Sequence, residues 1–198
     1  MSSIATLTSY EEAVRRGAEF EMLVLGVTAY EDEYFTPTHL EFEASMYDAI
    51  NQNLIACDDS LLDGEIHHPL SPNLGMTREI WSAVRNFLPR RAGGMQSGPL
   101  SFYIAVGTGL DYKHGVDAFL WWEGVCVTLD MFTALKSKRG RGRFRLKADL
   151  LFGPGDIEAE SLLDLAESIA QLLKTKRLKR REQNRKNNSM QDVAYEAI

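Results

Sequence analysis

The stretch VDAFLWWEGVCVTLDMF, residues 116–132, limits the possible folds more than any other part of the chain. Residues 116–122 and 125–132 read as two strands joined by Glu123-Gly124, a two-residue turn with the glycine a tight hairpin wants. Bulky apolar side chains fall on both alternating faces of each strand. A strand that is apolar on both sides needs cover on both sides, which places this hairpin inside a sheet with helices packed on each face.

The rest of the chain supplies that cover. Residues 101–106 (SFYIAV) and 148–152 read as two further strands. Ser9 with Glu12, and Thr38 with Glu41 after Pro37, have capping-box spacing. Helical periodicity follows each box, through Phe20, Leu23 and Val24 in the first helix and Phe42, Met46, Ile50 and Leu54 in the second. Residues 57–74 read as a loop marked by Gly64, Pro69 and Pro72. A third helix is predicted over 77–88, with Ile80, Trp81, Val84 and Phe87 inward. Ile157, Leu162, Leu165, Ile169, Leu172 and Leu173 form the apolar stripe of a last helix over 156–174. That helix extends as a basic segment to residue 186, followed by a flexible tail from 187 to 198. The order of helices, strand cluster and helix predicts an α+β (α/β-like) fold, a small mixed sheet flanked by helices, with residues 1–186 as one domain.

Composition sets the class. The 198 residues are 44% hydrophobic and 25% charged, enough for a single globular domain with a real core. The two cysteines, Cys57 and Cys126, lack partners at zinc-like spacing, which favours a reducing compartment. The N-terminal residues lack a secretory pattern, and no apolar run approaches the ~20 residues of a membrane span. The expectation is a soluble cytoplasmic protein. The formal net charge of -6 conceals segregation: acids such as Glu31, Asp32 and Glu33 crowd the first third, while residues 136–147 and 174–186 are rich in Lys and Arg. Such segregation is compatible with a phosphate-binding surface on an acidic protein.

Chemistry centres on two acids. Counting back from Glu123 to Asp117, and forward from Gly124 to Asp130, makes these residues cross-strand neighbours in the simplest register. Like charges directly opposite destabilise a sheet unless a cation separates them. Two adjacent carboxylates suit Mg²⁺ or Mn²⁺, which take oxygen ligands and keep room for water and a phosphate. The alternative is structural, because acids in apolar strands are usually paired with Lys or Arg. Lys136 is a candidate for stabilising transition-state charge. His114, three residues before Asp117, is a candidate general base or phosphate contact. Lys138, Arg139, Arg141, Arg143, Arg145 and Lys147, interleaved with glycines, suit a nucleic-acid backbone or a plain solvated loop.

The arrangement HGVDAFLWWEG, VTLDMFTALK and KADLLF resembles the PD-(D/E)XK nuclease-like superfamily, chiefly its diverged phage and bacterial members. The likeness covers the pattern of elements over about residues 38–173 and rests on two or three motif residues. It implies a restriction-endonuclease-like core and a Mg²⁺- or Mn²⁺-dependent deoxyribonuclease. Asp117 and Asp130 match the two acids, and Lys136 stands for a migrated lysine, since Phe132 occupies the usual lysine position. Glu41 or Glu43 would be the acid contributed by the first helix. The implied partner is nucleic acid, chiefly DNA, and a catalytically inactive version would bind nucleic acid or a host or phage protein; an oligomer is compatible with either.

Other features carry less. His67-His68 lies in a Pro-flanked loop without an i+4 partner, and Gly107-Thr108-Gly109 reads as a turn without nucleotide-binding context. Trp121 and Trp122 point to opposite faces of their strand, and both read as core.

Overall fold

The computed structural model describes residues 9–25, 39–59, 68–72, 75–90, 98–131 and 148–196. Three helices come first, α1 (Ser9–Leu25), α2 (His39–Asp59) and α3 (Gly75–Phe87). Strand β1 (Leu100–Ile104) leads into a short helix α4 (Gly109–His114), then β2 (Ala118–Trp122), β3 (Val125–Met131) and β4 (Leu150–Phe152). A 3₁₀ turn over Pro154–Ile157 precedes the final helix α5 (Ala159–Glu196). Among the described residues, no helix is long and apolar enough to cross a membrane.

The four strands form one mixed sheet in the order β1-β2-β3-β4. The first three make an antiparallel meander and β4 runs parallel to β3. The fold is therefore the α+β arrangement of a small mixed sheet between helices. Glu123 and Gly124 both have positive φ, 47° and 80°, as the tight turn between β2 and β3 requires.

Both faces of the sheet are covered, as the two-sided apolar strands demand. On one face Phe102, Leu120, Trp122, Leu129 and Phe152 pack against Val24 of α1, Ile80 of α3 and Ile169 of α5. On the other, Phe119, Tyr103, Trp121 and Cys126 pack against Met46 and Ala49 of α2 and Leu110 of α4. Each large apolar side chain fully removed from water contributes about 1.5–3 kcal/mol. Trp122 is wholly buried and Trp121 partly so, in keeping with core positions for both.

Strand β1 lies at an edge, and side chains blunt it. The amide of Asn53 on α2 accepts the Ile104 N–H at 3.1 Å and donates to the Ile104 carbonyl at 2.6 Å. The Pro69 carbonyl accepts the Phe102 N–H at 2.8 Å. These bonds occupy backbone groups that would otherwise template another strand.

Several boundaries differ from the sequence expectation. Helix α4 is unpredicted: Thr108 caps it by accepting the Leu110 N–H at 3.2 Å, and Gly115 ends it in the left-handed region at φ 58°. Six residues are too few for periodicity to register. Helix α2 runs to Asp59, so Cys57 belongs to it and not to a loop. Strand β4 begins at Leu150 because the Asp149 carboxylate, not a strand backbone, takes the Thr128 N–H at 2.8 Å. Helix α5 continues past residue 187 to Glu196, since no Pro or Gly interrupts its hydrogen-bond ladder there.

Candidate functional site

The two candidate acids lie at the sheet end opposite the Glu123-Gly124 turn. The expected register holds as far as Ala118 opposite Leu129. At Asp117 the backbone turns. Its N–H donates to the Leu129 carbonyl at 2.9 Å on β3, whereas its carbonyl accepts the Ala105 N–H at 2.8 Å beside β1. In a regular antiparallel strand the N–H and C=O of one residue point to the same neighbour, so the geometry at Asp117 is that of a bulge. The alternation of faces slips here too, because Val116 and Phe119 share one core cluster while Ala118 belongs to the other.

This turn corrects the simple picture of two carboxylates facing across a ladder. The Asp117 side chain instead accepts the Met131 N–H at 2.5 Å, the peptide group that follows Asp130. Asp117 is 2% exposed and Asp130 is half-buried. The acids are close along the backbone, and Asp117 has a structural duty in which a backbone N–H, that of Met131, is a partner. Bulges are common beside active sites, where they re-aim a side chain.

Helix α4 packs a polar group of its own against this end. The Asp111 carboxylate accepts the Gly107 N–H at 2.8 Å, and the Asp111 carbonyl accepts the Gly115 N–H at 2.7 Å, which fixes both ends of the helix. His114 ends α4 as a buried ring, 5% exposed, edge-on to Phe42 of α2 at 4.9 Å. It is no loop end. Glu41, next to Phe42, is half-buried, whereas Glu43 is exposed. The packing of Phe42 on His114 sets α2 against α4.

Lys136, Lys138, Arg139, Arg141, Arg143, Arg145 and Lys147 lie outside the described residues, as do Phe132 and His67. Among the described residues, no group of three or more His, Cys, Asp or Glu side chains is set to hold a metal ion. The donors at hand are two carboxylates, one of them partly open to solvent. Two hard oxygen donors would suit Mg²⁺, which usually takes one or two carboxylates and completes its shell with water and phosphate.

Two clusters that the sequence reading missed tie the sheet to α5. In the first, Asp149 accepts from both the backbone N–H and the hydroxyl of Thr128, at 2.8 and 3.0 Å, and from Lys176 at 2.6 Å. Lys176 also donates to the Cys126 carbonyl at 2.9 Å. In the second, at the β2–β3 turn, Arg177 pairs with Glu123 and its guanidinium stacks over Trp122 at 4.8 Å. Arg180 donates to the Gly124 carbonyl. Burial pushes the neighbouring Cys126 thiol up from its ordinary pKa; Lys176 pulls it partly back and Asp149 adds to the rise. The only advance signal for these clusters was the density of Lys and Arg after residue 173.

Comparison with protein-family models, with curated proteins and with solved structures found no match for the chain.

Proposed function

We propose that the protein is a nuclease-like protein that acts on DNA with Mg²⁺ or Mn²⁺ held by Asp117 and Asp130. The observation that carries this reading is the bulge at Asp117, which sets its carboxylate on the peptide group following Asp130. The hydrogen bond from Met131 would fix the orientation of that carboxylate. Asp130, half-buried, would supply the second oxygen donor on the side open to solvent. When bound, the ion lowers the pKa of an attacking water and offsets phosphate charge. His114 would act as general base or phosphate contact, Glu41 would add a carboxylate from α2, and Lys136 would stabilise charge on the phosphate. The Lys138–Lys147 segment would follow the nucleic-acid backbone.

Calorimetry with Mn²⁺ on the wild type, Asp117→Asn and Asp130→Asn, with plasmid cleavage on the same samples, tests the proposal. Heat and cleavage present in the wild type and absent in both variants are expected. A wild type that gives no binding heat returns the pair to a structural role.

A specific observation favours a second reading, a nuclease-like fold without catalysis that binds nucleic acid or a host protein. Asp117 is nearly inaccessible and already serves Met131, and Phe132 stands where the resemblance implies lysine. This version predicts nucleic-acid or protein binding that is indifferent to divalent metal.

A further inference from the structure

Helix α5 is 38 residues long, about 57 Å at 1.5 Å per residue. Its first half is held down: Leu165, Ala166, Ile169, Ala170 and Leu173 are buried against the sheet and α3. Between Lys174 and Asn187 no residue of α5 is buried, and from Leu178 to Asn187 every one is exposed. The helix therefore leaves the body of the protein and continues into solvent.

The exposed portion is unusual in composition. Residues 179–187, KRREQNRKN, contain no apolar side chain and set five cations against Glu182 alone. Leu178, 60% exposed, is the last apolar residue before them. A helix that is polar all round lacks a face to bury, and like charges such as Arg181 and Arg185, four residues apart, repel along it. An anionic partner removes that repulsion. Neither a protein groove nor a membrane surface fits, since both need apolar anchors on one side of the helix. Phosphates fit, and Arg, Lys, Asn and Gln are the side chains that contact phosphates and base edges.

The root of the projection already has a niche for such a group. A cleft of about 410 Å³ opens between the β2–β3 turn and α5, lined by Glu123, Gly124, Arg177, Arg180, Arg181 and Asn184. The α5 residues of this set fall at i, i+3, i+4 and i+7, on one face of the helix. Arg177 pairs with Glu123 and Arg181 reaches the same carboxylate at 3.9 Å, so a single acid faces Arg177, Arg180 and Arg181 at the cleft and the balance there is positive.

We infer that α5 from Lys179 to Asn187 is a docking helix for a DNA duplex, with a backbone phosphate seated beside Arg180, Arg181 and Asn184. It shares its class of partner with the proposed function but stands on different residues, at the opposite end of the sheet from Asp117.

The test is fluorescence anisotropy with a short labelled duplex in EDTA across a salt series, where no metal-dependent cleavage can occur. The probe protein is the full chain, compared with Arg181→Gln/Arg185→Gln/Lys186→Gln. Glutamine keeps helix propensity, and these side chains are exposed, so circular dichroism of the variant should match the wild type. The wild type is expected to bind with a steep salt dependence. The variant should bind roughly tenfold or more weakly, with a salt slope shallower by about one for each cation removed. Superimposable isotherms for the two proteins would overturn the inference. So would a wild type that binds polyglutamate but not duplex, because the helix would then serve an acidic protein. EDTA withholds the metal from the carboxylates, so failure of the carboxylate reading appears in cleavage and leaves this measurement untouched.

Discussion

The carboxylate of Asp117 accepts the N–H of Met131 at 2.5 Å and so rests on the peptide bond that joins Asp130 to Met131. One of the two acids that draw attention in the sequence thus closes the end of β3. Buried and hydrogen-bonded, it holds together the strand ends from which any chemistry at this site would be built.

That contact makes Asp117 a residue whose removal is felt in stability before activity. Asp117→Ala orphans a buried donor and should cost about 1–3 kcal/mol. Asp117→Asn keeps an acceptor and should cost less than the alanine variant. Urea unfolding of the two, fitted with a common slope, distinguishes them; equal losses would mean that the Met131 bond contributes little.

The Thr128–Asp149–Lys176 cluster should be asymmetric. Asp149→Ala strips the buried Thr128 N–H of its acceptor and is expected to cost about 1–3 kcal/mol. Lys176→Met leaves the Thr128 bonds intact and removes a partly exposed ion pair, so its cost should stay near or below about 1 kcal/mol. Combining the two should cost less than the sum of the single losses, because Lys176 has lost its carboxylate partner once Asp149 is gone. Additive losses would show that the contacts act independently.

Cys126 should react slowly as long as the protein is folded. Its thiol is pushed up by burial, with its sulfur 3.6 Å from that of Met46. On a Cys57→Ser background, its reaction with a disulfide reagent at mildly alkaline pH should be much slower in the native state than in urea. The folded state holds the thiol proton more tightly than the unfolded chain. This contribution to stability is complete below the unfolded thiol pKa and is lost as pH rises through the folded one. Stability that rises across that alkaline window would contradict the assignment.

Gly124 is the turn position least able to accept a side chain. Its φ of 80° is a left-handed conformation that costs an L-residue about 1–2 kcal/mol, and an added Cβ would collide with the Arg180 guanidinium. Gly124→Ala should lower the unfolding free energy by about that amount. If Arg180 is the part that gives way, the Arg180→Ala/Gly124→Ala pair should recover a portion of the loss, read in the same unfolding assay.

Local physics explains what could be read in advance. The hairpin through Glu123-Gly124, its register as far as Ala118 and Leu129, and the long helices depend on periodicity, turn chemistry and short-range contacts, all of which are present in neighbouring residues. Helix α4 was missed although its signals, Thr108 and Gly115, were in plain sight, because six residues cannot display a helical period. The candidate site was legible as a pair of acids and no further. The bulge at Asp117 depends on Ala105 and Leu129 pulling its two backbone groups toward different strands.

The sequence by itself determined a sheet covered on both faces, with a tight hairpin at its centre and a basic helix at its end. Alternating apolar residues leave no other way to remove those strands from water. Tertiary structure alone decided which charges are spent inside the fold. Asp149 meets Thr128 and Lys176, and Glu123 meets Arg177, only after β3, β4 and α5 have packed. The pairing energy of a charge depends on distance and burial, and neither is written in the order of residues.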